Sequence, residues 1–300
     1  MKLPEQINVV EVGPRDGFQN VKTIIPTEDK ITIIQAMIQA GIRTMEITSF
    51  VNPKWLPQMA DAAEVAKVVL KDVPADFRGI ALAPNLRGVE NAVNAGLKGV
   101  TYVVSASESH NHKNVNRNID ESLKELGEIK KQFSNIALRV SLATSFGCPF
   151  EGRVPVTNVI GIMEKIRECG INEIILCDTI GVANPLQVTE VVGAVKERFP
   201  DMTPGLHFHD TRGMGIANIY AGLTAGVTAF ETCVGGLGGC PFAPGSAGNT
   251  ATEDMLNMLT SMNIRHNVDI DAYLKAVDLV RNRIAAPLTG RLSSMCKESA

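Results

Sequence analysis

Short apolar runs rich in β-branched residues alternate along this chain with segments whose apolar residues recur at i, i+3, i+4 and i+7, from one end to the other. The runs predict strands at Asn8–Val12, Thr44–Ser49, Gly79–Ala83, Val100–Ser105, Ala137–Ala143, Glu173–Cys177, Gly205–His209 and Ala229–Val234. Lys30–Ala40 and Asp120–Phe133 carry the helical period between them. Strands that alternate with helices eight times favour a closed parallel α/β barrel over an open sheet. A weak internal repeat supports the same count. A small residue followed by glycine stands just before the second, fourth, sixth and eighth strands, at Ala40-Gly41, Ala95-Gly96, Cys169-Gly170 and Ala225-Gly226. Glycine suits the left-handed position that closes a helix. The barrel is expected to span about residues 7–263, within one catalytic domain covering 1–300. The stretch from 264, with Asp, Lys and Arg on a helical period, predicts an extra C-terminal helical segment.

Composition narrows the class of partner. The 300 residues are 45% hydrophobic and 20% charged, enough apolar material for a large core. A formal charge of -3 and the lack of any basic run argue against nucleic acid or an anionic membrane surface, and leave a small molecule as the expected partner. No stretch reaches the length of a membrane span, and the first residues have no signal-peptide pattern, so a cytoplasmic location is expected. The six cysteines are scattered with no CxxC pair, which speaks against a disulfide framework or a zinc knuckle.

Candidate chemistry sits where a barrel would gather it, at the carboxyl ends of the strands. His207 and His209, one residue apart on a strand, project from the same face and can hold one metal ion. Asp16 follows the first strand and Asn249 follows the eighth. Together these four side chains make an oxygen and nitrogen set suited to a divalent cation such as Mg²⁺, Mn²⁺ or Co²⁺. The alternatives are plain ones: Asp16 as a turn or helix cap, Asn249 as the cap of a helix starting near Ala251.

Arg15 would bring a permanent charge beside the metal and steady an enolate-like oxygen, or else form a structural ion pair with Glu46; both can hold at once. Asp178, at the end of the sixth strand, is expected to orient Arg15 or a metal ligand. Gly235 to Gly245 contains five glycines and two prolines in eleven residues, reads as a mobile lid, and carries Cys240 as a candidate for proton transfer. No GxGxxG follows the first strand, which disfavours a dinucleotide site.

Six blocks, in order, closely resemble the 3-hydroxy-3-methylglutaryl-CoA lyase family: Glu11 to Asn20 (EVGPRDGFQN), Glu46 to Val51 (EITSFV), Gly147 to Gly152 (GCPFEG), Asp178 to Gly181 (DTIG), His207 to Asp210 (HFHD), and Gly236 to Pro241 (GLGGCP) through Asn249. The resemblance implies a TIM (β/α)8 barrel and a metal-dependent retro-Claisen cleavage of an acyl-CoA. It implies Asp16, His207, His209 and Asn249 as metal ligands, with Arg15, Glu46, Asp178, His207 and Cys240 in catalysis. Arg15, Gln19 and Ser49 would face the substrate, Asn282 and Arg283 would contact CoA, and the chain would form a homodimer. His207, or a water near it, is the expected base for the hydroxyl proton. Ile175 stands where lyases of this group can carry a serine three residues before the aspartate, which leaves room for an altered acyl group. A Claisen-condensing synthase on the same barrel and a barrel without catalysis are the competing readings. Synthases resembling this group extend well beyond the barrel, and an intact metal set argues against a mere scaffold.

Overall fold

The computed structural model describes residues 3–239 and 248–295. Eight parallel strands close into a barrel in sequence order: β1 Asn8–Glu11, β2 Thr44–Ser49, β3 Arg78–Leu82, β4 Gly99–Ser105, β5 Ala137–Ala143, β6 Ile174–Asp178, β7 Gly205–Phe208 and β8 Ala229–Thr232. β1 pairs with β8 through Asn8 with Ala229 to Glu11 with Thr232, which completes the ring. Every predicted strand is present, shifted at its ends by no more than two residues. Strands with both faces covered have no reason to alternate, and β2 and β6 are buried at every position.

The helices are α1 Thr27–Gln39, α2 Ala62–Val69, α3 Leu86–Asn94, α4 Glu108–Val115, α5 Ile119–Gln132, α6 Val156–Glu168, α7 Pro185–Arg198, α8 Gly215–Thr224 and α9 Thr252–Ser261. α1 turns Ile33, Ile34, Met37 and Ile38 onto the barrel. α5 starts in a capping box, with Asn118 accepting from the Glu121 amide and Glu121 returning to the Asn118 amide. The four glycines of the repeat all adopt positive φ, between +78° and +107°. Helix stop and strand start are therefore coupled by one residue type, as the repeat suggested.

Past residue 263 the chain forms two helices rather than one, α10 Ile270–Arg283 and the short α11 Arg291–Met295. α10 buries Tyr273, Ala276, Val277 and Val280. Arg283, in its last turn, pairs with Asp29 at the start of α1, 2.7 Å apart. Among the described residues, no helix is long and apolar enough to cross a membrane. The four described cysteines are free, and Cys148, Cys177 and Cys233 are buried.

Candidate active site

β1 does not run straight into a loop. Gly13–Gly17 makes one turn of π-helix, a rare geometry that is frequent at functional sites, and this turn delivers Arg15 and Asp16 to the barrel mouth. Two glycines permit its close seating. A Cβ on Gly13 would lie 2.6 Å from Val234 Cγ1, and one on Gly17 would lie 2.7 Å from Cys233 Sγ. The turn therefore packs directly on the segment that follows β8.

Asp16 meets the two histidines there. Its Oδ2 is 3.8 Å from His207 Nε2 and 3.9 Å from His209 Nε2, and the three side chains offer ligand atoms that all lie within 4.8 Å of one another. Asn249 Nδ2 donates to the same Oδ2 at 2.9 Å and to the Leu237 carbonyl at 3.0 Å. Asn249 Oδ1 and His209 Nδ1 are buried with no hydrogen-bond partner among the described residues. An orphaned amide oxygen beside a carboxylate and two imidazoles fits a divalent cation with oxygen and nitrogen preference.

The electrostatics of Asp16 and His209 suit the same use. Burial works against the Asp16 charge, but Arg15 and the two histidines outweigh it and hold the carboxyl at about 2. Burial, with His207 alongside, pushes His209 down to about 4, so its ring is neutral near pH 7. Burial also disfavours charge on His207, yet the hydrogen bond and charge of Glu231 prevail and raise it.

Around this cluster runs an ion network that the sequence showed only in part. Arg15 donates through Nε to Glu46 Oε2 at 2.6 Å and through Nη1 to Asp16 Oδ1 at 2.9 Å. The expected ion pair of Arg15 with Glu46 is therefore present, and the same guanidinium also reaches Asp16. Glu46 Oε1 accepts from Thr101 and, at 2.7 Å, from Arg139 Nη2. Arg139 Nη2 also lies 2.8 Å from Glu231 Oε1, and Glu231 Oε2 lies 3.0 Å from His207 Nδ1. Since these partners come from β2, β4, β5, β7 and β8, the network fills the barrel lumen.

Arg139 and Glu231 were missed. The signal was there: each is a single charge inside an otherwise apolar strand, a position that only pairing makes tolerable. Glu11 was missed as a buried group for the same reason. It accepts from the amides of Gly13 and Val234, from Thr252 Oγ1 at 2.8 Å and from Tyr273.

Gln19 donates to Asp16 Oδ1 at 2.8 Å, so it steadies that carboxylate directly. Ser49 ends β2 with a buried hydroxyl that has no partner among the described residues, and the residue borders a cavity walled by α2 and α3. Asp178 spends its two oxygens on the amides of Val182 and Ala183, at 2.9 and 3.0 Å. In place of the expected bond to Arg15 or a ligand ring, it ties down the loop after β6. Burial raises its carboxyl to about 6. Asn282 and Arg283 are exposed at the end of α10, on the rim where α1 begins. Cys240, and with it the centre of the glycine-rich lid, lies outside the described residues.

A closed eight-stranded parallel barrel with a carboxylate, an amide and paired imidazoles at its carboxyl mouth defines an α/β-barrel enzyme of the metal-dependent kind. Comparison with known proteins narrows this. A family model described as HMGL-like matches residues 6–280. Hydroxymethylglutaryl-CoA lyase YngG of Bacillus subtilis is 45% identical over 301 residues, covering all of both chains. The crystal structure of the Bacillus subtilis HMG-CoA lyase superposes with a TM-score of 0.95 over 99% of this chain and 100% of that one. An HMG-CoA lyase from Acinetobacter baumannii, in complex with coenzyme A and 3-methylmalate, is 35% identical with a TM-score of 0.93, covering 100% of this chain and 98% of that chain. The chain belongs to the hydroxymethylglutaryl-CoA lyase family.

Proposed function

We propose that this chain cleaves 3-hydroxy-3-methylglutaryl-CoA to acetyl-CoA and acetoacetate by a retro-Claisen step at the mouth of the barrel. The observation that carries the reading is the meeting of Asp16, His207, His209 and Asn249, with Arg15 bonded to the same carboxylate. The family is metal-dependent, and these four residues would hold the cation, with Mg²⁺ or Mn²⁺ the preferred candidates and Co²⁺ a third. A divalent ion bound there supplies Lewis-acid polarisation of substrate oxygens.

The protein's own groups do the rest. Arg15, fixed on one side by Glu46, presents a guanidinium that stabilises the negative oxygen developing on the acetyl fragment. Glu231 holds the His207 ring from the Nδ1 side, which fixes its tautomer and leaves Nε2 facing Asp16. His207, or a water held near it, is the proposed acceptor of the hydroxyl proton. Cys240 is the proposed donor to the enolate carbon. Ser49 and Gln19 are proposed to face the acyl group, and Asn282 and Arg283 the CoA. One catalytic domain, a homodimeric assembly and a cytoplasmic setting belong to the same proposal. The names of the relatives do not favour a condensing synthase.

Incubating the full chain with 3-hydroxy-3-methylglutaryl-CoA and Mg²⁺ or Mn²⁺ should release acetoacetate and acetyl-CoA, and EDTA should stop it. No product with any divalent ion removes this substrate from the reading. Cys240→Ala should slow turnover while leaving Mn²⁺ uptake intact, whereas His207→Ala should impair both; lost Mn²⁺ binding in the cysteine variant would contradict its assigned role.

A further inference from the structure

The glycines that root the loop after β8 have no side chains of their own to hold them. Gly235 and Gly236 both sit at φ +65°, in the left-handed region. What holds them is the segment between α10 and α11. Thr289 N–H and Gly290 N–H both donate to the Gly235 carbonyl, at 2.8 and 3.2 Å, and Thr289 Oγ1 donates to the Gly236 carbonyl at 3.2 Å. The Leu288 side chain covers Gly235 so closely that a Cβ there would lie 2.8 Å from Leu288 Cδ2. On the other side, the Gly235 amide donates to Glu253 Oε2 at 3.0 Å. The segment is itself anchored, because Asp254 accepts from the amides of Arg291 and Leu292 at 2.8 and 2.7 Å.

One residue beyond the clamped pair, the Leu237 carbonyl accepts from Asn249 Nδ2. A carbonyl can only accept, and so can the ionised Asp16 carboxylate that takes the same amide nitrogen. Together they decide which way the Asn249 amide points. The nitrogen is turned to the two acceptors, and Oδ1 is left buried and unpaired as a potential ligand. A Leu237 carbonyl that drifted would leave the amide nitrogen held by Asp16 alone and its direction less firmly set.

We propose that Leu288, Thr289 and Gly290 form a positioning strap that, through Gly235, Gly236 and the Leu237 carbonyl, sets the direction of the Asn249 amide in the metal quartet. The strap touches no reacting atom. This inference rests on the quartet reading above, and the two can fail separately.

The test is Mn²⁺ titration by calorimetry of the full chain, with metal-free melting and steady-state kinetics alongside. Thr289→Pro removes both the amide and the hydroxyl donor; Leu288→Ala removes the cover on Gly235 and serves should the proline variant not fold. The expected result is Mn²⁺ affinity weaker by about tenfold, at the lower end for groups that orient ligands, and a reduced kcat at saturating metal with little change in KM. Thr289→Ser, which keeps both donors, should bind Mn²⁺ as the native chain does. Folded strap variants with native Mn²⁺ affinity would overturn the strap, as would a fall in metal-free melting temperature with no change in affinity. Asp16→Ala in the same titration separates the two claims. If it loses Mn²⁺ while the strap variants keep it, only the strap fails; if it binds as the native chain does, the quartet and the strap fall together.

Discussion

Arg139 is fully buried, and its charge is tolerated only because Glu46 and Glu231 flank it within 2.8 Å. Replacing it with Met would leave two carboxylates in the lumen with Arg15 as their main cation. We expect a loss of about 3–5 kcal/mol of stability, the cost of an uncompensated buried charge, read from urea unfolding. Glu231→Gln tests a different link. It keeps the shape beside His207 but removes the charge that holds the ring, and kcat should fall by about 10–100-fold with weakened Mn²⁺ binding. Unchanged turnover would mean that the His207 ring needs no orienting partner. The sequence showed Arg15 and Asp16 because they lie just past the end of β1, and the His-x-His pair because alternate residues of a strand share one face. Arg139 and Glu231 lie inside apolar strands, where nothing local says which side of the strand faces the lumen.

At the scale of elements, glycine positions separate two costs. Gly96 adopts φ +94°, and an added Cβ would have its nearest neighbour 3.9 Å away. Gly96→Ala should therefore cost only the backbone conformation, about 1 kcal/mol. Gly41, at φ +107°, would in addition bring its Cβ to 2.5 Å from the Asn267 carbonyl. Gly41→Ala should be clearly more destabilising in thermal melts, and equal effects would show that the α1 stop is not packed as described. Gly17→Ala acts on the site instead. A Cβ meeting Cys233 Sγ at 2.7 Å and Leu237 at 2.9 Å must displace the π-helical turn, which should lower activity far more than its stability cost of about 1–3 kcal/mol implies. The helix stops were legible from the small-residue-glycine repeat. The π-turn was not, because its geometry is imposed by the wall it packs on.

For the whole molecule, pH acts in opposing directions. Asp16 and Glu46 are both held at about 2 despite burial, chiefly by Arg15. Their folded values lie below the unfolded ones, so the stability they contribute is present above about pH 4.5 and is lost as pH falls toward 2. Glu253 runs the other way, since burial raises it from 4.5 to about 7. Below its unfolded value the group is neutral in both states and costs nothing; as pH rises through about 7 the folded state is penalised by up to roughly 3 kcal/mol. Glu253→Gln should therefore raise the melting temperature at pH 8 more than at pH 5, and an equal shift at both would place the ionisation elsewhere. What the sequence alone determined is whatever repeats over a few residues: eight strands and their helices, the glycine stops, the barrel they must form, and the polar groups at the strand ends. Closure of the barrel decided the rest. It put Glu11 against Tyr273, 262 residues away, made Asp178 a loop tie, and turned the Asn249 amide nitrogen to Asp16 and the Leu237 carbonyl. Propensity and period act between near neighbours, while the partners that make a buried charge or a fixed amide tolerable come from across the ring, where only the closed structure brings them together.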